Sequence, residues 1–369
     1  MSNEKKPKNV GVSNPYALAE VILKKKVNWK RVDSQKLLEK TLDMPYEKLF
    51  DPKYESPLYA GLKLDPQTKT LARVEIPPTA KVVHRTLVNV GATTVWADPG
   101  DFFEEAAELT DPIQGAVANC YLIAALSSVA WARTYVIAQR TRATGTGPQD
   151  FVDMIEFKKG GKSEKVEVTE LLPLNSPGNT FIYARSSEPG EIWPAVYEKA
   201  FAKWVTKDAG DKPNILKTAY GDPVGAAASL TGLTPYYYWN SSFSGYQIWQ
   251  KVRGNCISRK TFNPMVAWTY GSSPSPDVNY SNAHIAANHA YSILGWQYAN
   301  NQKYIVLRNP WGNYEAIINV AGSTWIAWDA PYYGGPGWWR PIPMATNDGI
   351  FALRADTFKK YFAGFGLLK

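Results

Sequence analysis

Apolar residues recur at helical spacing in several stretches of the chain. Leu18, Val21 and Ile22, then Val32, Leu37, Leu38 and Leu42, predict a pair of helices between Pro15 and Leu42. After Cys120 the run Ile123, Ala124, Leu126, Val129 and Trp131 predicts a buried helix, and Ile192–Thr206 and Tyr246–Val252 predict two more. Strict alternation over Phe151–Phe157, a Lys158-Lys159-Gly160-Gly161-Lys162 turn and the return Val166-Glu167-Val168 predict a hairpin. Short runs rich in β-branched and aromatic residues predict strands at Val266–Tyr270, Ala290–Trp296, Tyr304–Leu307 and Ala316–Val320. A further strand is expected at Leu71–Ile76, inside an irregular proline-punctuated wrap from Pro45 to Pro78. Gly221-Asp222-Pro223 and Gly232-Leu233-Thr234-Pro235 mark a crossover. The pattern divides the chain into an extension over 1–90, a helical unit over 91–235 and a strand-rich unit over 236–369. Residues 1–15, polar and lysine-rich, are expected to be disordered.

Composition narrows the class. At 45% hydrophobic and 20% charged residues, the 369-residue chain is globular with ample core. Its 14 Trp and 22 Tyr serve packing and could also wall a cleft that grips extended peptide. With only 2 Cys there is no disulfide framework, and two free thiols in a reducing interior imply a cytoplasmic protein. The N-terminus carries no long apolar run, so neither a signal peptide nor a membrane span is expected. The net charge is +8, but apart from Lys24-Lys25-Lys26 with Lys30 and Arg31 the basic residues are scattered. No zinc-finger spacing, RNA-binding aromatic signature or phosphate-binding glycine loop accompanies them, so nucleic acid is not an expected partner. Oligomeric state is left open.

The candidate chemistry centres on Cys120, in Gln114-Gly115-Ala116-Val117-Ala118-Asn119-Cys120-Tyr121-Leu122. A cysteine on the first turn of a helix meets free N–H groups and the positive end of the dipole, which favour thiolate. Gln114, in the loop feeding that helix, can turn its amide toward an oxyanion near the sulfur. Of 3 His, His289 opens the apolar run Ala290-Tyr291-Ser292-Ile293-Leu294, where a base can be held at a strand end, whereas His284 sits in a loop. Asn309 follows Tyr304–Leu307 closely; its side-chain oxygen is expected to accept from imidazole Nδ1–H, leaving Nε2 toward sulfur, with Trp311 lying over that bond. The order Cys, His, Asn with Gln upstream suits a papain-type thiol protease. Cys256 reads as core.

Q-G-x-x-x-N-C-Y-L, N-H-A-Y-S and R-N-P-W-G resemble, in order, the catalytic blocks of the calpain-type cysteine proteases. Glu191–Lys203 is similar to that family's next helix, and Asp348-Gly349-Ile350-Phe351 with Phe358 and Tyr361 to its closing strand and short helix. The resemblance spans roughly 90–369 and leaves His84 outside it. It implies an α+β, papain-like two-lobed fold, with Cys120 on a helical lobe and His289 and Asn309 on a β-rich one. It also implies an endopeptidase acting on protein or peptide substrates, with Cys120, His289, Asn309 and Gln114 catalytic and Asn288, Trp311 and Gly221 binding substrate. Calcium is the one cofactor implied, held by Asp111 and Glu191 in the first lobe and by Glu315 and Asp348, with Asp329 a looser match, in the second. No EF-hand loop is present. The chain departs from the family where Ala118-Asn119-Cys120-Tyr121 replaces Gly-Asp-Cys-Trp, with Asn119 still able to cap the helix, where Asn288 replaces a glycine, and where Ile350 replaces an acid. Two other readings remain: a non-catalytic peptide-binding module with the same fold, and a transglutaminase-like acyl transfer.

Overall fold

The computed structural model describes residues 94–369 except 105, 141–151, 176–179, 258, 319 and, within 321–346, all but four residue pairs. The helices expected between Pro15 and Leu42, the strand at Leu71–Ile76 and Asp329 lie outside the described residues. Among the described residues the architecture is α+β.

Helix α1 (Cys120–Arg140) is the central element. Leu122, Ile123, Ala124, Ala125, Leu126 and Val129 are all fully buried, so α1 is covered on every side. It is long and apolar enough to cross a membrane, yet those apolar faces form the interior of the fold. Small residues let neighbours approach closely, and serines replace backbone solvation. Ser128 Oγ donates to Met265 O and accepts from Met265 N–H, both at 2.8 Å. Ser292 Oγ donates to Ala124 O at 2.7 Å, and Trp131 Nε1 donates to Leu294 O at 2.7 Å. The helix kinks at Arg133 (φ −147°, ψ 57°), and Arg133 reaches Asn263 Oδ1 on the sheet.

Before the sheet come β1 (Thr94–Ala97), the hairpin β2 (Val152–Lys159) and β3 (Lys162–Thr169), β4 (Leu172–Asn175) and β5 (Thr180–Phe181). The hairpin turn is Gly160-Gly161 at φ 56° and 77°, the left-handed pair that a two-residue turn requires. Helix α2 (Trp193–Thr206) covers α1 with an aromatic cluster that includes Trp193, Tyr197 and Phe201. Helix α3 (Pro223–Thr231) fills the stretch between the two turns that mark a crossover in the sequence. It is delimited by Asp222, whose carboxylate accepts from Val224 N–H, by Pro223 in its first turn, and by Gly232 at φ 74°.

The seven-stranded antiparallel sheet contains β6 (Pro235–Trp239), β7 (Cys256–Ile257), β8 (Lys260–Thr269), β9 (Ala290–Ala299) and β10 (Gln302–Arg308). Four two-residue strands follow, β11 (Ala327–Trp328) pairing with β14 (Ile342–Pro343) and β12 (Tyr333–Gly334) with β13 (Trp338–Trp339). The sheet then completes with β15 (Ile350–Arg354) and β16 (Phe362–Leu368), in the order β15-β10-β9-β8-β16-β6 with β7 beside β8. Helix α4 (Gly245–Gly254) starts with a capping box between Ser244 and Gln247. With the short α5 (Tyr280–Ala283) and α6 (Ala355–Tyr361), it belongs to the core on one face of the sheet, while α1 and α3 join Val266, Trp268 and Ala290 on the other. The strand expected at Ala316–Val320 does not form among the described residues; only Val320 makes an isolated bridge, to Leu353 on the outer side of the edge strand β15.

Asp153 and Glu170 form a carboxyl pair buried under the hairpin, away from the site. Burial, then the mutual charge, pushes Glu170 up to about 8, and burial pushes Asp153 up to about 6. A folded-state pKa raised above the unfolded value gives stability that is fully present below about pH 4 and lost as pH rises through 8. Glu170→Gln, fixed in the neutral form, is therefore expected to melt a few degrees above the parent at pH 8 and level with it near pH 4, in thermal unfolding read by circular dichroism.

Candidate active site

Cys120 is the first residue of α1, half-buried, with its sulfur inside the fold. Three backbone N–H groups, those of Ala290, Tyr121 and Cys120 itself, are directed at it. Burial outweighs them and pushes the thiol up to about 11. Ala290 follows His289, so the contact from Ala290 sets the Cys120 sulfur against the start of β9.

His289 is buried at the start of β9. Its backbone is clamped to Thr269, with His289 N–H donating to Thr269 Oγ1 at 3.0 Å and Thr269 N–H to His289 O at 2.9 Å. The ring meets Asn309 Oδ1 through Nε2 at 2.9 Å. This reverses the sequence expectation, in which Nδ1 met Asn309. The tautomer follows from the amide: Asn309 Nδ2 donates to Tyr314 O at 2.9 Å, so the oxygen faces the ring, where it also accepts from Trp311 N–H at 3.1 Å. An oxygen can only accept, so Nε2 carries the hydrogen and Nδ1 is the free base. Trp311 lies 4.5 Å from the imidazole, centroid to centroid, and Tyr291 meets it edge-on at 5.1 Å. In this enclosure burial lowers the His289 pKa to about 4, partly offset by Asn309. Burial thus works against charge on either group.

Gln114 N–H donates to Pro310 O at 2.9 Å, which ties the glutamine loop to the asparagine loop. The Gln114 side chain donates one amide hydrogen to Val117 O at 2.7 Å, leaving the second for a ligand. Gly115 is required by close approach, since a Cβ there would lie 2.1 Å from Tyr183 O. Arg308, the last residue of β10, is buried and braces the arrangement. It donates to Pro112 O at 2.9 Å, Thr110 O at 2.6 Å and Ser127 Oγ at 2.7 Å. Asn119 does not cap α1 through its side chain. Its oxygen is buried without a partner, while Nδ2 donates to Glu198 Oε1 at 2.6 Å and Thr218 Oγ1 at 3.2 Å. Asn288 adopts φ 51°, the left-handed conformation that a glycine takes without strain and asparagine tolerates.

Of the acidic candidates, Asp111 and Glu191 are adjacent and buried, and burial raises both above the usual carboxylate range. Asp111 Oδ2 accepts from Trp193 Nε1 at 3.0 Å, and Oδ1 is buried with no partner. Glu108 and Glu188, missed in the sequence, bring carboxylate oxygens within 4.8 Å of one another and of Asp111. Each lies three residues before a recognised acid, a spacing that could have flagged them. Glu315 Oε1 accepts from Gly349 N–H and Asp348 Oδ1 from Ile350 N–H, each at 3.0 Å. Ile350 packs with Leu109 and Trp131 in an apolar cluster, so no acid is supplied there.

Comparison with known proteins bears on this constellation. The sequence profile of the calpain family cysteine proteases matches residues 80–365. A thiol protease of Porphyromonas gingivalis is 25% identical, aligned over 95% of this chain and 86% of its own length. Calpain clp-4 of Caenorhabditis elegans is also 25% identical, over 85% of this chain and 45% of that protein. Calpain-9 of Rattus norvegicus is 23% identical, over 73% of this chain and 38% of that protein, so the chain spans under half the length of these two animal relatives. An NlpC/P60 endopeptidase structure from Photobacterium damselae subsp. piscicida aligns over 62% of this chain and 51% of that chain at 12% identity, with a TM-score of 0.19 that carries no weight for the fold.

Proposed function

The chain belongs to the calpain family of cysteine proteases, and from that premise we propose that it is an endopeptidase working through Cys120, His289 and Asn309 in a papain-like two-lobed core. The observation that carries the reading is the amide-fixed imidazole. Asn309 holds the hydrogen on Nε2, and the Ala290 N–H beside that ring points at the Cys120 sulfur. Nδ1 takes the thiol proton as the sulfur attacks the substrate carbonyl. The oxyanion then meets the Cys120 N–H and the second amide hydrogen of Gln114. As the C–N bond breaks, His289 passes its proton to the leaving amine, and the acyl group stays on sulfur. His289 next takes a proton from water, whose oxygen displaces Cys120 as the thiol. Asn309 steadies the imidazolium in both halves, and Trp311 keeps water from the His289–Asn309 bond. Asn288 and Gly221 border the path of the substrate backbone.

The same proposal includes calcium in the first lobe. A buried, partnerless Asp111 oxygen beside Glu108 and Glu188, with Glu191 adjacent, suits a hard, oxygen-seeking cation. Bound there, calcium would supply the positive charge that lets these crowded carboxylates ionise together. In the second lobe Glu315 and Asp348 are already used by backbone N–H groups, and Ile350 offers no ligand. Glu315 and Asp348 stay the second-lobe candidates, and Asp329 lies outside the described residues.

Casein hydrolysis tests both parts. Cleavage is expected in a calcium titration and should be lost in excess chelator, and Glu188→Gln should raise the calcium needed for half-maximal rate. Full activity in chelator would remove calcium from the account. No cleavage under any calcium concentration would favour the peptide-binding module.

A further inference from the structure

The loop that leads into His289 and the loop that leaves Asn309 are joined by contacts the mechanism above does not use. His284 lies five residues before His289, and Tyr314 lies five after Asn309. His284 ends α5 at φ 53°, and its exposed imidazole lies flat on the Tyr314 ring, with centroids 5.1 Å apart and planes 8° from parallel. Tyr314 itself holds φ 63°. Both partners of the stack are thus in the left-handed conformation, which glycine and asparagine adopt far more readily than a ring-bearing residue. The two backbones meet as well, since Ile317 N–H donates to Ala283 O at 3.1 Å.

The stack continues into the site. Tyr314 meets Trp311 at 5.7 Å and Trp311 meets His289 at 4.5 Å, so rings in contact run from the surface at His284 to the catalytic imidazole. The backbone of Tyr314 bears on that imidazole too. Two bonds orient the Asn309 amide: Trp311 N–H donates to its oxygen at 3.1 Å, and its nitrogen donates to Tyr314 O at 2.9 Å. The second bond depends on Tyr314 keeping a conformation that a non-glycine residue holds only when its surroundings impose it. If that carbonyl turns away, the amide can reverse and donate to Nε2. The ring hydrogen would then sit on Nδ1, the nitrogen that must take the thiol proton.

We infer that His284 and Tyr314 are positioning residues. Their stacked rings clip the two loops together and hold the Tyr314 carbonyl where it fixes the Asn309 amide, and through it the His289 tautomer. The effect on rate rests on the endopeptidase reading. The tautomer is a property of the folded chain, so the two can fail separately.

Proton–nitrogen NMR on the full chain, labelled with nitrogen-15 in its 3 histidines, tests this. Spectra are taken in the Cys120→Ala background, where no thiolate can hold the ring charged. There His289 should show one tautomer, protonated at Nε2 and bare at Nδ1. Adding His284→Asn removes the ring yet suits the left-handed end of α5. It should move the His289 nitrogens toward the averaged values of mixed tautomers. With Cys120 present, His284→Asn should lower kcat about three- to tenfold, the worth of one ring stack, with KM within about twofold of the parent's. His284→Phe, which keeps a ring, should restore both readouts. A mixed tautomer already present without the His284 change, or an unchanged tautomer in His284→Asn, overturns the inference. A lower kcat and melting temperature with the tautomer unchanged would mark a merely structural loop and overturns it as well. If the parent cleaves no peptide, the endopeptidase reading fails and the spectra decide: a single tautomer that becomes mixed in His284→Asn supports the clip, and identical spectra sink it.

Discussion

Replacing Cys120 with alanine is expected to reduce peptide hydrolysis by on the order of 10⁵-fold or more, with the fold intact. The size of the loss follows from the absence of a substitute nucleophile. The chain has 2 Cys, and Cys256 is buried, 2% exposed, with its thiol donating to Val252 O. Groups that act as one unit fail together, so His289→Ala in the same background should add little further loss. Alanine fits the start of α1 and removes a single sulfur atom, so far-ultraviolet circular dichroism and the melting temperature should stay near the parent's. An alanine variant that cleaves casein at the parental rate would end the thiol mechanism.

The largest stability effect is expected at Arg308. Methionine there keeps most of the volume but removes the donors to Pro112 O, Thr110 O and Ser127 Oγ, leaving those acceptors buried and underpaired. Leaving a buried acceptor without its donor costs about 1–3 kcal/mol each. The consequence is also functional, because Arg308 directly precedes Asn309 and holds the loop that leads to Gln114. Arg308→Met should therefore lower the melting temperature by roughly 10 °C and, at a temperature where it is still folded, reduce kcat as well. A melting temperature within about 2 °C of the parent would show that the brace is dispensable.

Much of the site could be read from the sequence because its parts are local. The cysteine at a helix start, the histidine at a strand start and the asparagine after a strand each carry their own flanking pattern. What could not be read is long-range or close in detail. The C-terminal strand β16 lies between β8 and β6, and its Phe-Ala-Gly-Phe-Gly composition hides it; Gly364 is needed because Trp268 lies across it. Helix α3 has a weak periodic signal, since Ala226, Ala227 and Ala228 pack by smallness, although Asp222-Pro223 and Gly232 marked both its ends. Ala316–Val320 has strand-like composition, yet it makes only the single bridge from Val320 to the edge strand β15. The imidazole tautomer could not be read because it is set by Tyr314 O, which accepts from the Asn309 amide five residues earlier. Arg308 stood in a recognised motif, yet its partners lie almost 200 residues upstream, beyond any local pattern.

The most direct test of the central claim, that Cys120 is a nucleophile activated by His289, is intact-mass spectrometry after treatment with an epoxysuccinyl peptide. The account predicts one covalent adduct per chain, mapped to Cys120 by peptide sequencing. It also predicts that His289→Ala labels far more slowly and that Cys256 stays free. No adduct on a folded chain with both thiols intact, or equal labelling in His289→Ala, would contradict it.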